Sequence, residues 1–282
     1  MNKKILLRWA GISQILFAQL GLIPAFIAPA LAAPTMTGKD VMLQNEERRK
    51  VDDIFSTATL TTGGGGTPER VKQFSWWRKL SEDKIHFNTL TRFHLPAEIR
   101  GEGILFLERV SGENEVMMYL PNFKKIRRVE SQAQSGSFMG SEFSYSDIAT
   151  AHVDDYKETL LKEELCPGSA NAGVQCYVIE SLPLTDEIQE RTGYARTVTW
   201  IRQDNFMGVR GEHFNKDKEL IKRMEATEIK VVDAAKNKWM AHKVKIENVK
   251  SARYTLLTFS QVKANQGIPD ATFTQQNLSR GN

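Results

Sequence analysis

The run Lys238-Trp239-Met240-Ala241-His242-Lys243-Val244-Lys245-Ile246-Glu247 alternates over its last eight residues. Met240, His242, Val244 and Ile246 share one face; Ala241, Lys243, Lys245 and Glu247 share the other. A period of two is the signature of an extended strand with one face on a core. Segments of similar character recur at short spacing over residues 71–80, 84–93, 103–109, 116–120, 153–165, 176–182, 195–202, 206–214, 220–232 and 252–263. Ser81-Glu82-Asp83 and Ser111-Gly112-Glu113-Asn114 read as turns between them. Evenly spaced strands with hairpin-type turns predict an antiparallel barrel or sandwich. Ile104-Leu105-Phe106-Leu107 is apolar on both faces, which predicts a part of the sheet covered from both sides.

Three stretches fall outside this pattern. Residues 39–55 place Val41, Val51, Ile54 and Phe55 among many charges with no Pro or Gly, and read as one helix. Four glycines at 63–66 read as a flexible turn; no Gly-Lys-Ser/Thr follows, which argues against a phosphate-cradling loop. Around 132–149 the strand series stops in a segment dense in aromatic and small residues, expected to form turns and short helices packed on the sheet. At the far end, Asp270 or Thr272 is placed to cap a short terminal helix. No internal repeat or domain linker is visible.

The N-terminus has the three parts of a secretory signal: Lys3, Lys4 and Arg8, then an apolar stretch from Trp9 to Pro29, then Ala30-Leu31-Ala32 as the cleavage site. This predicts a cleaved signal over 1–32 and one domain over 33–282, exported to the periplasm. No Cys lies near the cleavage site, so a lipid anchor is not expected. Removing 1–32 takes three of the 38 basic residues and none of the 34 acidic ones, leaving a charge near +1. That balance gives no electrostatic reason to expect a nucleic-acid partner. Cys166 and Cys176 bracket a Pro-Gly-Ser-Ala-Asn-Ala-Gly loop. In an oxidising compartment they are expected to form a disulfide, with two free thiols as the alternative.

The residues that commonly carry chemistry form no recognisable constellation. His86, His94, His152, His213 and His242 make neither His-x-His nor His-Glu-x-x-His, so no metal is expected. There is no Gly-x-Ser-x-Gly turn, and neighbouring carboxylates such as Asp154 and Asp155 read as solvated surface. Neither an enzyme nor a cofactor is expected. Lys124-Lys125-Ile126-Arg127-Arg128 is the strongest basic run. It reads either as a charged edge that blocks strand pairing or as a contact for phosphate head groups or an acidic partner. The large apolar residues, including Trp76, Trp77, Phe87, Phe106, Met117, Met118, Phe138, Met139, Phe143 and Trp200, either fill a core or line an apolar cavity. Periodicity does not separate these two readings.

Arg92-Phe93-His94-Leu95-Pro96-Ala97-Glu98-Ile99-Arg100-Gly101-Glu102-Gly103 resembles the periplasmic outer-membrane lipoprotein-sorting family, within the wider LolA/LolB-like superfamily. Tyr119-Leu120-Pro121 running into Lys125, Arg127 and Arg128 resembles it too. The closest match is Ser137-Phe138-Met139-Gly140-Ser141-Glu142-Phe143-Ser144-Tyr145-Ser146-Asp147-Ile148, and Pro269-Asp270 with Phe273-Thr274 and Leu278 resembles that family's end. The resemblance spans 38–278 and lies far from the lipoprotein carrier itself. It implies a mainly β (α+β) fold: an incomplete antiparallel β-barrel, or half-barrel, whose concave face is closed by helices over an apolar cavity. On that reading Trp76, Phe87, Phe93, Leu105, Leu107, Met118, Phe138, Met139, Phe143 and Trp200 are the candidate lipid-binding residues. Arg92, the candidate for the family's lid-contacting arginine, joins Lys125, Arg127 and Arg128 as contacts for head groups or a partner. The implied function is a monomeric carrier of lipid or acylated protein cargo, with transient membrane contact and an inner-membrane lipid transporter as a possible partner. The alternative is a regulatory module that senses lipid or holds an envelope signalling partner.

Overall fold

The computed structural model describes residues 36–109 and 114–280. The signal expected over 1–32, and residues 111–113 of the turn expected at 111–114, lie outside these. The described chain opens with helix α1 (Gly38–Arg49), then forms β1 (Asp53–Gly64), β2 (Thr67–Leu80), β3 (Phe87–Leu95), β4 (Gly103–Leu107), β5 (Glu115–Leu120) and β6 (Lys125–Val129). A crossover segment carrying α2 (Tyr145–Ile148) leads to β7 (Tyr156–Leu165), β8 (Gln175–Pro183), α3 (Asp186–Thr192), β9 (Arg196–Arg202) and β10 (Gly208–Phe214). The chain continues through β11 (Leu220–Asp233), β12 (Lys238–Asn248) and β13 (Arg253–Ala264) to α4 (Gln275–Arg280).

All strands join one antiparallel sheet of 13, in the order β6-β5-β4-β3-β2-β1-β13-β12-β11-β10-β9-β8-β7. It is an open sheet, not closed into a barrel. Every neighbour is consecutive in sequence except the central pair β1 and β13. Two meanders therefore meet in the middle, and their outer ends, β6 and β7, form the two edges. This order dictates what covers the sheet. β6 and β7 follow one another in the chain but lie at opposite edges, so residues 130–155 must cross from one edge to the other. They do so over one face, here called the inner face.

On that face Ala58, Leu60, Phe74, Trp76, Phe93, Ile104, Phe106, Ile246 and Leu257 form a buried core with Phe138, Phe143 and Ile148 of the crossover. Phe138 is fully buried, with ring centroids 6.4 Å from Phe74, 6.3 Å from Phe93, 6.4 Å from Phe106 and 5.6 Å from Tyr145. On the outer face Leu90, Leu105, Met117 and Tyr119 pack against Ile268, Phe273 and Leu278 of the C-terminal segment. Gly103 admits that segment: a Cβ there would lie 2.9 Å from Leu278 Cδ1. The doubly apolar run at 104–107 is thus covered from both sides, with even positions inward and odd positions outward.

Helix α1 covers the inner face of the second meander, with Val41 packed on Ile179 and Ile201. Thr37 caps it: the Asp40 N–H donates to Thr37 Oγ1 (3.2 Å) and the Thr37 N–H returns to Asp40 Oδ2 (2.9 Å). Gly38 brings the first turn hard against β7, where a Cβ would stand 2.7 Å from the Leu160 nitrogen. Cys166 and Cys176 are bonded, 10 residues apart, and pack with Val209 on the outer face. Closing so short a loop contributes about 2–3 kcal/mol.

Several element boundaries differ from the sequence reading. The helix expected over 39–55 ends at Arg49, and Asp53 to Phe55 open β1. Asp53 is held there by distant backbone: its carboxylate accepts the N–H groups of Gln266 (2.7 Å) and Gly267 (2.9 Å). β1 lies outside the strands expected from sequence: Ser56-Thr57-Ala58-Thr59-Leu60-Thr61-Thr62 is polar in composition, although threonine is a strong strand former. Gly63 and Gly64 end β1, leaving Gly65 and Gly66 as its hairpin turn. The terminal helix is capped by Thr274, whose hydroxyl accepts the Asn277 N–H at 3.1 Å, not by Asp270 or Thr272.

Candidate functional site

Between α1, the crossover segment and the inner face lies a cavity of about 400 Å³, within the range of small-molecule sites. Its floor is a ladder of directly paired residues, Ala226 on β11, Val244 on β12 and Leu257 on β13. Trp76, Phe259, Met224 and Phe87 extend the apolar wall, and Phe143 and Ile148 close it from above. The lid position follows from the crossover, and its short helix is fixed by a capping box: the Asp147 N–H donates to Ser144 Oγ (3.0 Å) and the Ser144 N–H to Asp147 Oδ2 (2.7 Å).

Two polar groups of residues border this apolar space. In the first, Asp147 accepts the Tyr194 hydroxyl at 2.9 Å, and Lys222 Nζ lies 3.4 Å from Asp147 and 3.0 Å from the Tyr194 oxygen. His213 stacks on Tyr194 at 4.4 Å. Burial alone would raise the Asp147 carboxyl; Lys222, His213 and the Ser144 bonds outweigh it and hold it below the usual range. Burial drives His213 down to about 4.

In the second group, Glu108 accepts the backbone N–H of Phe87 and of Thr150, both at 2.8 Å, with His152 Nε2 3.4 Å away. Burial acts to raise Glu108, but these bonds and Arg78 keep it low. Arg78 donates to Thr150 Oγ1 (2.6 Å), lies 3.9 Å over the Phe87 ring, and is lowered by burial to about 10. Arg49 extends from α1 into the same region. Arg49 lines the cavity and stays partly exposed, and burial of its surroundings lowers its pKa. Further along the wall, Glu158 accepts the Ser181 hydroxyl at 2.6 Å and is pushed by burial up to about 7.

These shifts have opposite consequences for stability. His213 takes a proton far more readily unfolded than folded. Its contribution is therefore lost as pH falls from about 6.5 to about 4, amounting to about 3 kcal/mol. Glu158 is protonated more readily in the fold, so its contribution is lost as pH rises from 4.5 to about 7. Over the shared window the two slopes offset one another. His213→Gln should unmask the Glu158 slope, giving a variant whose urea midpoint rises between pH 7 and pH 5 while the parent's changes little. Equal pH slopes in parent and variant would refute this account.

The structure separates the residues singled out from sequence. Trp76, Phe87 and Phe143 line the cavity. Phe93 and Phe138 are wholly buried in the adjoining inner core, against which Met118 and Met139 pack. Leu105 and Leu107 face the outer side. Trp200 also lies there, beside the disulfide, donating its indole N–H to Glu164 at 2.8 Å. Arg92 donates to the carbonyls of Asn277 (2.9 Å) and Leu278 (3.3 Å), tying down the terminal helix on the outer face and not the lid. Lys125, Arg127 and Arg128 are exposed on β6, the sheet edge, and none lines the cavity. Sequence reasoning missed Arg49, Arg78, Glu158, Tyr194 and His213. Only Asp147 carried a local signal, the Ser-x-x-Asp capping pattern. Among the described residues no group of three or more His, Cys, Asp or Glu is placed to hold a metal ion, and no helix is long and apolar enough to cross a membrane.

A family profile described as "Uncharacterized protein" matches residues 87–280. No curated protein matches the sequence. Among solved structures, a DUF1329 family protein from Desulfovibrio piger is 25% identical, with a TM-score of 0.77 over 86% of this chain and 97% of that one. A putative outer membrane lipoprotein-sorting protein domain from Vibrio parahaemolyticus is 22% identical, with a TM-score of 0.78 over 86% and 98%. A LolA superfamily protein from Nitrosomonas europaea is 20% identical, with a TM-score of 0.67 over 86% and 100%.

Proposed function

We propose, for a chain that belongs to the DUF1329 family and has a LolA-like fold, that it is a periplasmic carrier holding the acyl chains of a lipid or lipoprotein in the cavity under its crossover segment. The observation that carries this reading is an apolar-walled space of about 400 Å³ kept open between a covered sheet and its lid. Well-packed interiors leave few voids larger than a water molecule, so a space of this size needs an occupant. Each buried methylene contributes about 0.8 kcal/mol, so six or seven give about 5 kcal/mol before the cost of association. The lipoprotein-sorting and LolA-superfamily fold neighbours support the same class of ligand.

On this reading 1–32 is a cleaved export signal and 33–282 is the lipid-binding domain. Trp76, Phe87 and Phe143 touch cargo directly, and Phe93, Phe138, Met118 and Met139 shape the lid end. The exposed edge strand brings Lys125, Arg127 and Arg128 to anionic head groups or to a lipid transporter of the inner membrane. Loading and release require the crossover segment to lift, which needs no catalysis.

Native mass spectrometry with lipid extraction, on protein purified gently from an envelope fraction, tests the proposal. A stoichiometric lipid or acylated peptide is expected. A mass without ligand, unchanged after incubation with envelope lipids, would reassign the chain to the alternative role of a regulatory module that holds a protein partner.

A further inference from the structure

The end of the cavity beside α1 has a charge that the residues nearest it do not balance. Arg49 shares one face of α1 with Met42 and Asn45, and all three line the cavity. Its guanidinium makes no hydrogen bond or ion pair with a described residue. The carboxylates nearest in electrostatic effect, Glu46 and Glu108, are already engaged. Glu46 pairs with Lys50 at 2.7 Å and accepts the Val153 N–H at 3.2 Å. Glu108 is taken by the Phe87 and Thr150 N–H groups and faces His152.

Arg78, a second guanidinium whose charge Arg49 disfavours, spends one amino group on Thr150 and leaves its Nε buried without a partner. Both ring nitrogens of His152, in the same wall, are also buried without a hydrogen bond. At this end of the cavity Arg49, Arg78 and Lys50 face Glu46 and Glu108, a local excess of one positive charge, while Glu158 and the Asp147–Lys222 pair stand further along the wall. A cation at an apolar wall without a partner is poorly compensated, and an anionic ligand entering the cavity would supply its counter-charge. A planar guanidinium is also the side chain best matched to a carboxylate or phosphate.

We infer that the cargo is an amphiphile with a compact oxyanion head, and that Arg49, with Arg78 beside it, receives that head inside the cavity. The tail then runs over Val244 and Leu257 beneath Phe143. This rests on the cavity being a lipid site and adds the polarity and orientation of what enters. The oxyanion is either the carboxylate of a free fatty acid or the phosphate of a single-chain phospholipid, which share the recognition chemistry. Neutral glycerides and alcohols lack it.

Three probes of one chain length separate the cases: palmitate, palmitoyl lysophosphatidic acid and monopalmitoylglycerol, titrated calorimetrically into the full chain and into Arg49→Gln and Arg49→Lys. At least one anionic probe should bind about tenfold or more tighter than the neutral one, and the preferred anion names the source of the head. Arg49→Gln should remove that preference while changing the neutral probe little, and Arg49→Lys should restore part of it. Without ligand, Arg49→Gln should melt no lower than the parent, because an unsatisfied charge has been removed; a structural arginine would give a drop. Equal binding of all three probes by the parent, or equal loss of all three in Arg49→Gln, overturns the assignment of the head while leaving the cavity as a lipid site. Failure of the parent to bind any probe overturns both.

Discussion

Replacing Asp147 by alanine is expected to cost about 3–5 kcal/mol of folding stability and to release the lid. Asp147 is the point at which the crossover segment is fastened to the sheet it crosses. Its carboxylate accepts the Ser144 N–H at 2.7 Å within the lid and the Tyr194 hydroxyl at 2.9 Å from the approach to β9. Lys222, 3.4 Å away on β11, supplies the balancing charge. Truncation removes one of the two capping-box bonds of α2, that from the Ser144 N–H, and leaves Lys222, about 15% exposed at its side chain, without its counter-ion. Loss of one partner of a buried pair is far more damaging than the net worth of the pair, because the survivor keeps its desolvation cost. Tyr194→Phe deletes one hydroxyl and leaves the ion pair, so about 1–2 kcal/mol is expected. Urea unfolding gives the energies, and hydrogen exchange over 134–148 gives the lid. A variant within 1 kcal/mol of the parent, with unchanged exchange in that segment, would show that apolar packing around Phe138 holds the lid alone.

The features legible in the sequence are those carried by local patterns. Alternation at 240–247 and the repeated strand segments gave an antiparallel β fold, and the doubly apolar run at 104–107 gave a sheet covered on both sides. The segment 137–148, by its composition, identified what packs over the sheet. The threonine-rich β1 carries no such pattern although it is central and largely buried, because its side chains are polar, whereas the basic β6 lies at the sheet edge, as the charged-edge reading expects. The site was less legible for a different reason. Arg49, Arg78, Glu108 and His152 come from a helix, two stretches flanking β3 and the crossover, and they meet only because the sheet order places β6 and β7 at opposite edges. Leu105 could not be distinguished from Ile104 either. Where both faces are apolar, hydrophobicity no longer reports which residue points to the cavity, and only register decides it.

That register makes the second large effect specific. Val244 and Thr199 are mid-strand residues on the inner face, half-buried although their neighbours on both sides are paired, because the surface they leave open belongs to the cavity. Tryptophan at either position places an indole where the acyl chain is expected to lie. If it excludes about four methylenes, affinity should fall by about 3 kcal/mol, on the order of 100-fold. Stability should change little, because the ring fills open space instead of displacing packed neighbours, in contrast to overpacking a filled core, which costs about 1–3 kcal/mol. Val71→Trp, at an exposed position on β2 outside the cavity, is the control and should bind as the parent does. Titration of a fluorescent fatty acid together with thermal melting reads both quantities. Weak binding with an unchanged melting temperature in Val244→Trp and Thr199→Trp would place the ligand between the lid and the floor. Parent-like binding in both would remove the cavity from the mechanism, and a large drop in melting temperature would mean that the space closes when the protein is free. The two positions lie on different strands, β12 and β9, so agreement between them would also tell how far along the sheet the chain extends.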